Sequence, residues 1–220
     1  MSNENNPTVK QAVEWQFNEQ LTKAAWMHEG NRESASGPGS TVDYTEQFRE
    51  GFEDFISLSG ASSLLDAPCG DFNWMKLIQF PSHFKYIGAD IVARIIETNG
   101  KNYGNANRIF IHCDIISDPL PDADIWLCRD CLFHLPLTLA LNALRNSMRS
   151  RFKYYMLTSH FNEINEDIHI GGFRELNLLA EPFYLPEPIS GIRDYIGEYP
   201  RRRVGIWTRD QVLGALTSRL

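Results

Sequence analysis

The 220-residue chain has no long hydrophobic run. A helix that crosses a bilayer needs about 20 consecutive apolar residues, and no run in this sequence approaches that length. The first ten residues are polar and lack the apolar core of a secretion signal. The sequence therefore predicts a cytoplasmic protein that neither crosses nor binds a membrane.

Positive charge is scarce, with 21 Lys and Arg residues against 28 Asp and Glu residues and a net charge of −7. A general nucleic-acid binder needs many cations to neutralise phosphates. Only Arg201, Arg202 and Arg203 form a tight cluster, which we interpret as a solvated loop before a strand rather than as a phosphate contact. The composition favours a small-molecule partner over nucleic acid.

Cysteine is also scarce, and the four residues of this type lie in or beside apolar runs: Cys69, Cys113, Cys128 and Cys131. A free cysteine in such a run behaves as a small hydrophobe. Cys128, Cys131 and His134 have a spacing close to that of zinc ligands, but a structural zinc site normally needs two close pairs. We therefore expect free thiols in a reducing compartment and no metal site.

The segment from Leu64 to Phe72 lacks the three glycines of a dinucleotide-binding turn. Instead, an apolar run ends in Asp66, and the chain then turns at Cys69 and Gly70. In an α/β sheet such a turn opens the carboxyl edge of the first strand, where nucleotide-like ligands bind. Because Asp71 would repel a pyrophosphate, the segment favours a ligand with hydroxyls or a cationic amine over NAD.

Apolar periodicity predicts strands and helices that alternate from residue 63 onward, which is typical of a mostly parallel sheet with helices on both faces. The predicted strands span 63–67, 86–91, 108–113, 123–128, 154–159 and 204–207. The predicted helices span 9–28, 43–59, 72–79, 92–103, 137–149 and 209–216. The chain is thus divided into N-terminal helices with a Ser/Gly-rich segment at 1–60 and a core at 61–220. The irregular stretch at about 161–203 is predicted to be a substrate-facing loop.

Four carboxylates end or follow the first four predicted strands: Asp66, Asp90, Asp114 and Asp130. The carboxyl ends of parallel strands meet at one edge of a sheet, so these side chains are expected to gather there. Asp90 lies about 24 residues after Asp66, near the offset at which an acid meets ribose hydroxyls. Asp114 is then placed to accept from an exocyclic amine of a base. Each acid alone would be an ordinary helix N-cap, but four together favour a pocket.

Residues 63–135 resemble the core of class I S-adenosylmethionine (SAM)-dependent methyltransferases. The resemblance lies in Asp66-Ala67-Pro68-Cys69-Gly70 for motif I, Gly88-Ala89-Asp90 for motif II, Cys113-Asp114-Ile115 for motif III and 124–135 for motif IV. Glu33–Ser40 and the Gly171, Arg174, Asn177 and Leu178 pattern resemble a bacterial and viral subgroup. That subgroup is associated with glycan modification and is sometimes fused to glycosyltransferases.

The resemblance implies a Rossmann-like α/β fold with a mostly parallel seven-stranded sheet and an N-terminal helical extension. It implies SAM as cofactor, S-adenosylhomocysteine as product, and contacts from Ser36, Gly37, Ser40, Asp66, Cys69, Gly70, Asp90, Ile91, Cys113, Asp114, Ile115 and Arg129. Asp71 and Phe72 replace the usual small residues after motif I, so the methionine end would be held differently. The segment 34–40 either closes over that end or is a flexible linker.

Methyl transfer from a sulfonium needs alignment and, for a hydroxyl acceptor, a base. Asp130 and His134 are the candidate catalytic residues after the fourth strand, and they share a face if a helix begins there. His160, at the end of the fifth strand, is a second candidate base. Asp130 with His160 or Asp167 could instead hold Mg²⁺.

The acceptor is expected to contact Arg174 and Asn177 on the 161–203 loop. The aromatic residues of this loop suit a sugar or another small polar molecule, and the resemblance adds a glycosyltransferase domain or partner. We therefore expect O-methylation of a sugar hydroxyl on a glycan. An N- or carboxyl-methyltransferase and a non-catalytic SAM-binding module remain as alternatives, with a NAD-linked reductase more distant.

Overall fold

The computed structural model describes residues 7–23 and 33–217. Two helices precede the sheet: α1 (Val9–Thr22) and α2 (Glu46–Ser59). Thr8 caps α1, because its side chain accepts from the backbone of Gln11 while the Gln11 side chain accepts from the backbone of Thr8. Residues 24–28 of the predicted first helix lie outside the described residues.

The sheet has seven strands: β1 (Ser63–Asp66), β2 (Lys85–Asp90), β3 (Arg108–His112), β4 (Ile125–Cys128), β5 (Tyr154–His160), β6 (Ser190–Arg193) and β7 (Arg202–Thr208). Their order is β3-β2-β1-β4-β5-β7-β6. The first five strands pair in parallel, whereas β7 lies antiparallel between β5 and β6. Three further helices complete the core: α3 (Ala93–Tyr103), α4 (Leu137–Ser147) and α5 (Arg209–Thr217). The predicted fold class is confirmed.

The predicted helix at 72–79 is wrong, since only a short 3₁₀ turn forms at Met75–Leu77. Phe72 has a φ of 61°, which is incompatible with a right-handed helix. Its ring packs against Tyr86, Tyr103 and Phe110, with centroid separations of 5.3, 5.0 and 5.2 Å. Burial of this one ring therefore overrides the helical periodicity of the segment.

Strand β6 falls inside the stretch that was predicted to be irregular. It is short, mostly exposed and contains a glycine, so it has no apolar alternation to detect. It forms because β7 offers it an unpaired edge, on which Ile192 faces Val204. Ile192 also packs against α2, where a Cβ on Gly51 would lie 2.8 Å from its side chain.

Apolar layers cover both faces of the sheet. Phe48, Phe52 and Ile56 of α2 pack on one face. The other face is larger and contains Trp126 and Trp207 together with residues of α1, α4 and α5. All of β4 is buried, as expected for a central parallel strand covered on both sides. The ends of β1, β2 and β4 are thereby fixed next to one another.

Two glycines provide a matched test of packing. A Cβ on Gly205 of β7 would overlap the buried ring of Trp207, whereas a Cβ on Gly100 of α3 would meet nothing within 4 Å. Gly205→Ala is expected to lower the free energy of unfolding by about 1–3 kcal/mol through overpacking. Gly100→Ala is expected to raise it by about 0.5–1 kcal/mol, because alanine is the better helix former. Urea unfolding of both variants measures the difference, and equal shifts would contradict this account of the core.

Candidate functional site

A cavity of about 450 Å³ opens at the carboxyl edge of the sheet. Its floor is formed by the ends of β1, β2 and β4 and by the segment that follows β3. One wall is α1, through Val13, Phe17 and Leu21, and another is the 36–40 part of the Ser/Gly-rich segment. The volume is within the range of pockets that bind small molecules and cofactors.

The cavity wall contains all twelve residues that the resemblance assigned to the cofactor: Ser36, Gly37, Ser40, Asp66, Cys69, Gly70, Asp90, Ile91, Cys113, Asp114, Ile115 and Arg129. It also contains Asp130 and His134. The structure does not place His160, Arg174 or Asn177 in this wall.

Two buried acids lie side by side at the floor. Asp66 accepts a hydrogen bond from the hydroxyl of Tyr86 at 2.6 Å, and burial raises the pKa of Asp66 to about 7. Asp90 accepts from the backbone N–H groups of Gly70 at 3.1 Å and Val92 at 2.9 Å, and burial raises its pKa to about 6. The floor therefore concentrates acceptor groups whose negative charge is poorly solvated.

Asp114 is held by its own turn. Its carboxylate accepts from the backbone of Ile116 at 2.9 Å and the hydroxyl of Ser117 at 2.6 Å. Its backbone N–H donates to Asp118, which forms an ion pair with Lys10 of α1 at 2.6 Å. Since a carboxylate has about four lone-pair sites, these contacts leave acceptor capacity for a ligand. They also attach α1 to the cavity floor.

The Ser/Gly-rich segment is a fixed wall. Asp71 accepts from the Ser34 hydroxyl at 2.8 Å and the Ala35 backbone at 2.7 Å, and its own N–H donates to Ser36 Oγ at 2.9 Å. Asn73 Nδ2 donates to the Ser40 carbonyl at 3.0 Å. Of the two interpretations of the 34–40 segment, the flexible linker is thus disfavoured. Asp71, an unusual residue after motif I, makes three of these hydrogen bonds with the segment.

Gly70 is required by the same contact. Its φ is +53°, in the left-handed region that favours glycine, and a Cβ there would lie 2.5 Å from Ser36 Oγ. The single glycine of the turn is therefore needed both for the chain reversal and for the close approach of the Ser/Gly-rich wall.

Four charged side chains form a buried network beside the cavity. Arg129 pairs with Asp194 at 2.7 Å, and Arg202 pairs with Asp130 at 2.7 Å. Arg202 Nε also donates to the carbonyl of Asp194 at 2.8 Å, and Arg129 Nη1 lies 3.7 Å from Asp130. Two positive and two negative charges thus alternate and compensate one another, which buried ionised groups require.

The sequence interpretation of Arg202 as a solvated residue was wrong, because its exposed fraction is 7%. Arg202 is the first residue of β7 and lies on the same face of the sheet as Val204, whereas Arg201 precedes the strand and is exposed. Asp194, the partner of Arg129, and Tyr44, whose ring centroid lies 5.2 Å from the Arg202 guanidinium, were missed as well, since their partners are distant in sequence. Only the period of a strand, which places Arg202 on the face of the apolar Val204 and Ile206, could have indicated the inward arginine.

Arg129 is oriented by aromatic rings and by one carbonyl. Its guanidinium lies over Phe48 and Trp74, 5.3 Å from each ring centroid, and 5.9 Å from that of Tyr44. Its Nη2 donates to the Gly39 carbonyl at 2.7 Å. Arg129 therefore links the end of β4 to the Ser/Gly-rich wall.

Asp130 is an ionised carboxylate at the cavity. Burial by itself would raise the pKa of Asp130, but Arg129 and Arg202 hold it below its usual value. Oδ2 is paired with Arg202, and Oδ1 has no hydrogen-bond partner in the part of the chain that the structure describes. A carboxylate stabilised in this way is a good acceptor and a weak base.

His134 is held as a neutral imidazole. Its Nδ1 lies 2.7 Å from the carbonyl of Gly172, and burial lowers its pKa below the ordinary value. A carbonyl only accepts, so Nδ1 carries the proton and Nε2 is the basic nitrogen. This tautomer is suited to removing a proton from a ligand at neutral pH.

His160 has the opposite tautomer and lies behind the cavity. It is 1% exposed and contacts Phe133 with a centroid separation of 5.4 Å. The backbone N–H of Leu176 donates to its Nδ1 at 3.1 Å, so Nε2 carries the proton, and burial lowers the pKa of His160 to about 4. Its lone pair is thus already used, which makes it a poor base here.

Arg174 and Asn177 serve the loop itself. Arg174 Nη1 donates to the Leu135 carbonyl at 2.6 Å, and Asn177 Nδ2 donates to the Asn162 carbonyl at 2.8 Å. Buried loop backbone needs hydrogen-bond partners, and these side chains provide them. The residues of this stretch that line the cavity are Gly171, Phe173, Tyr199, Pro200 and Arg202.

Metal-binding arrangements are absent from the described ranges 7–23 and 33–217, where no group of three or more His, Cys, Asp or Glu side chains could hold an ion. Asp167, one of the candidate Mg²⁺ ligands, instead accepts from the backbone of Leu137 at the start of α4, at 2.8 Å. The four cysteines are free thiols. Within the same ranges, no helix has the length and apolar character needed to span a bilayer.

No family model and no curated protein sequence matches the chain. Its structure is similar to magnesium protoporphyrin IX methyltransferase from Synechocystis PCC 6803 with bound SAM, with a TM-score of 0.62 and 12% identity over 93% of this chain and 98% of that one. For PigF with S-adenosylhomocysteine the TM-score is 0.55 and the identity is 14%, over 88% of this chain and 70% of that one. For the methyltransferase domain of bacterial CtHen1 the TM-score is 0.55 and the identity is 12%, over 75% of this chain and 99% of that one. The chain therefore has the Rossmann-like fold of class I methyltransferases.

The raised pKa of Asp66 makes stability depend on pH. The folded-state pKa of about 7 exceeds the ordinary 3.8, so the folded chain binds the proton more tightly than the unfolded chain between these values. The free energy of unfolding is thus expected to fall by an amount on the order of 1–3 kcal/mol as pH rises from about 4 to 7. In Asp66→Asn this decrease should be absent, because the side chain no longer ionises.

Urea unfolding at a series of pH values measures this effect. Asp54→Asn on the exposed side of α2 is the matched control, because it makes the same formal charge change without altering a buried carboxyl. Asp90 contributes its own pH dependence equally to the wild type and to the Asp54→Asn control. Identical slopes for the wild type and Asp66→Asn would contradict the buried, protonatable state of Asp66.

Proposed function

We propose that the protein is a SAM-dependent methyltransferase that methylates a hydroxyl group of a sugar or a similar small polar acceptor. The observation that carries the proposal is the pair of buried acids, Asp66 and Asp90, at neighbouring strand ends in one cavity of suitable volume. The fold, shared with methyltransferases solved with SAM or S-adenosylhomocysteine, supports the same cofactor.

The residues present fit this cofactor. Each oxygen of Asp90 accepts one backbone N–H, which leaves a lone pair on each for a ribose hydroxyl. The carboxyl of Asp66 suits an ammonium group, and a cationic ligand would offset the cost of ionising two buried acids. Cys113, Asp114 and Ile115 would hold the base, and the 36–40 wall would hold the carboxylate end.

A pyrophosphate cofactor fits the cavity poorly. The turn after β1 has one glycine, and the side chain of Asp71 holds the neighbouring wall through two hydrogen bonds. A dinucleotide would need free backbone N–H groups at this turn, but those of Gly70 and Asp71 already donate to Asp90 and Ser36. The proposal therefore excludes a nicotinamide-dependent reductase.

In this reaction SAM would supply an electrophilic methyl group bound to a sulfonium. His134 Nε2 would take the proton of the acceptor hydroxyl, and loss of the methyl group from the sulfonium would leave S-adenosylhomocysteine. Burial lowers the pKa of His134, and the neighbouring carboxylate of Asp130 opposes that shift and so stabilises the imidazolium that results. Arg202 keeps Asp130 ionised and in position, which makes it a positioning residue.

The acceptor end of the cavity is aromatic. Phe133, Phe173 and Tyr199 line it next to His134 and Arg202. Aromatic faces pack against the apolar faces of sugar rings, while the polar groups contact their hydroxyls. A neutral histidine base is needed for a hydroxyl acceptor and is dispensable for a neutral amine, so His134 favours O-methylation over N-methylation.

Calorimetric titration with S-adenosylhomocysteine tests the cofactor, with NAD as the comparison ligand. We expect micromolar binding of the first and none of the second. Asp90→Ala should weaken binding by about 1–3 kcal/mol, because polar groups of the ligand lose their partner. Asp54→Asn should leave it unchanged. Absence of S-adenosylhomocysteine binding, or wild-type affinity in Asp90→Ala, would refute the assignment.

Methyl transfer from labelled SAM to a panel of sugars tests the base. His134→Gln should reduce turnover by about 10²–10⁴-fold and leave S-adenosylhomocysteine affinity near that of the wild type. Because the pKa of His134 lies below 6.5, wild-type turnover should rise with pH below that value and then level off.

His83→Gln, in an exposed loop, is the matched control and should keep both the rate and the pH profile. If His134→Gln keeps the full rate and the rise of turnover with pH, proton removal does not occur at His134. If S-adenosylhomocysteine binds but no acceptor in the panel of sugars, amines and carboxylates is methylated, the chain is a non-catalytic SAM-binding module.

A further inference from the structure

Two arginines share one face of the sheet beside the cavity, and a third, exposed arginine lies next to them in the chain. Arg193 of β6 lies directly opposite Arg203 of β7 in the antiparallel register. Arg201 is exposed and directly precedes β7, while Arg202 between them points toward the buried network. The three residues therefore lie together where β6 ends and β7 begins. We name Arg193, Arg201 and Arg203 the arginine face.

The arginine face is poorly neutralised. Like charges placed directly opposite in a sheet are destabilising. Glu187 pairs with Arg203 at 2.8 Å, whereas Arg193 and Arg201 have no ion pair with any residue in the described ranges. Three positive charges and one negative charge leave a local charge of +2 on a chain whose net charge is −7.

Aromatic rings orient two of these arginines. The guanidinium of Arg193 lies 4.2 Å from the ring centroid of Tyr195, and that of Arg203 lies 5.3 Å from the ring centroid of Phe161. Phe161 is 54% exposed, so its ring offers an open platform next to the arginines. The Nε of Arg203 is buried and has no partner among the described residues. The face is thus preorganised rather than a set of freely moving side chains.

The arginine face adjoins the acceptor end of the cavity. Arg201 lies between Pro200 and Arg202, and both of these neighbours line the cavity. Phe161 directly follows His160 at the end of β5. An acceptor whose hydroxyl reaches His134 would therefore extend past Tyr199 toward these arginines.

We propose that the acceptor carries a phosphate group and that the arginine face binds it. This inference rests on the proposed methyltransferase function and names its substrate class, a phosphorylated or diphosphate-linked sugar. The charge of a phosphate monoester near neutral pH is about −1.5 to −2, which matches the local +2. A single carboxylate would neutralise only half of this local charge. Arginine forks also bind phosphate through paired hydrogen bonds.

Calorimetry with the purified full chain tests the proposal, using inorganic pyrophosphate, glucose 1-phosphate, glucuronate and glucose as probes, with and without S-adenosylhomocysteine. Pyrophosphate and glucose 1-phosphate should bind at least about tenfold more tightly than glucose, and glucuronate should bind more weakly than either. The double variant Arg193→Gln, Arg201→Gln should lose this preference. Higher salt should weaken it in the wild type.

The matched control is Arg145→Gln, Arg149→Gln, which removes two exposed charges near the carboxyl end of α4. It should retain the preference for phosphate. A stronger response to glucose 1-phosphate than to pyrophosphate would assign a sugar monophosphate, and the reverse would assign a diphosphate-linked sugar. Both outcomes support the proposal.

Three results would overturn the proposal. The first is equal affinity for glucose and glucose 1-phosphate, and the second is an equal loss of the phosphate preference in the two double variants. The third is binding of single-stranded RNA without binding of the phosphate probes. The S-adenosylhomocysteine titration reports separately on the methyltransferase function. Binding of S-adenosylhomocysteine without phosphate preference would overturn only the substrate class. Phosphate preference without S-adenosylhomocysteine binding would overturn only the methyltransferase assignment.

Discussion

The ion pair between Arg129 and Asp194 is the interaction on which the site depends. It joins the end of β4 to the residue that follows β6, and the same guanidinium holds the Gly39 carbonyl of the Ser/Gly-rich wall. Removing one member of a buried pair leaves an uncompensated charge, at a cost of about 3–5 kcal/mol. One buried cation therefore connects the antiparallel end of the sheet to the Ser/Gly-rich segment. The cavity exists between the elements that this cation connects.

The strand ends and their acids could be predicted from the sequence, because parallel strands place their carboxyl ends at one edge whatever the details of packing. Asp66 and Asp90 reach the cavity for this reason. Arg202 and Asp194 could not be predicted in the same way, since their pairing follows from the antiparallel register of β6 and β7. Phe72 similarly escaped prediction because its conformation is set by rings from β2, β3 and α3. Local pattern identifies elements, whereas long-range pairing decides which polar residue faces inward.

The two histidines show how backbone contacts select chemistry. The carbonyl of Gly172 fixes the proton of His134 on Nδ1, and the N–H of Leu176 fixes the lone pair of His160 on the same ring position. Both residues are histidines near the carboxylate of Asp130, but only His134 has a basic Nε2. Sequence position alone gave both the same candidate role. The identity of the backbone group opposite each ring distinguishes them.

The contacts of Asp71 have a consequence for how the chain can diverge. Ser34 is fully buried, and its hydroxyl and the N–H of Ala35 both donate to the Asp71 carboxylate. A substitution of Asp71 by an apolar residue leaves the buried Ser34 hydroxyl and the Ala35 N–H without this acceptor, and a substitution of Ser34 alone leaves the carboxylate with one fewer partner. The two positions are far apart in sequence but constrain each other, so they are expected to covary: a lineage that acquires a small residue at 71 must also rebuild the segment around 34.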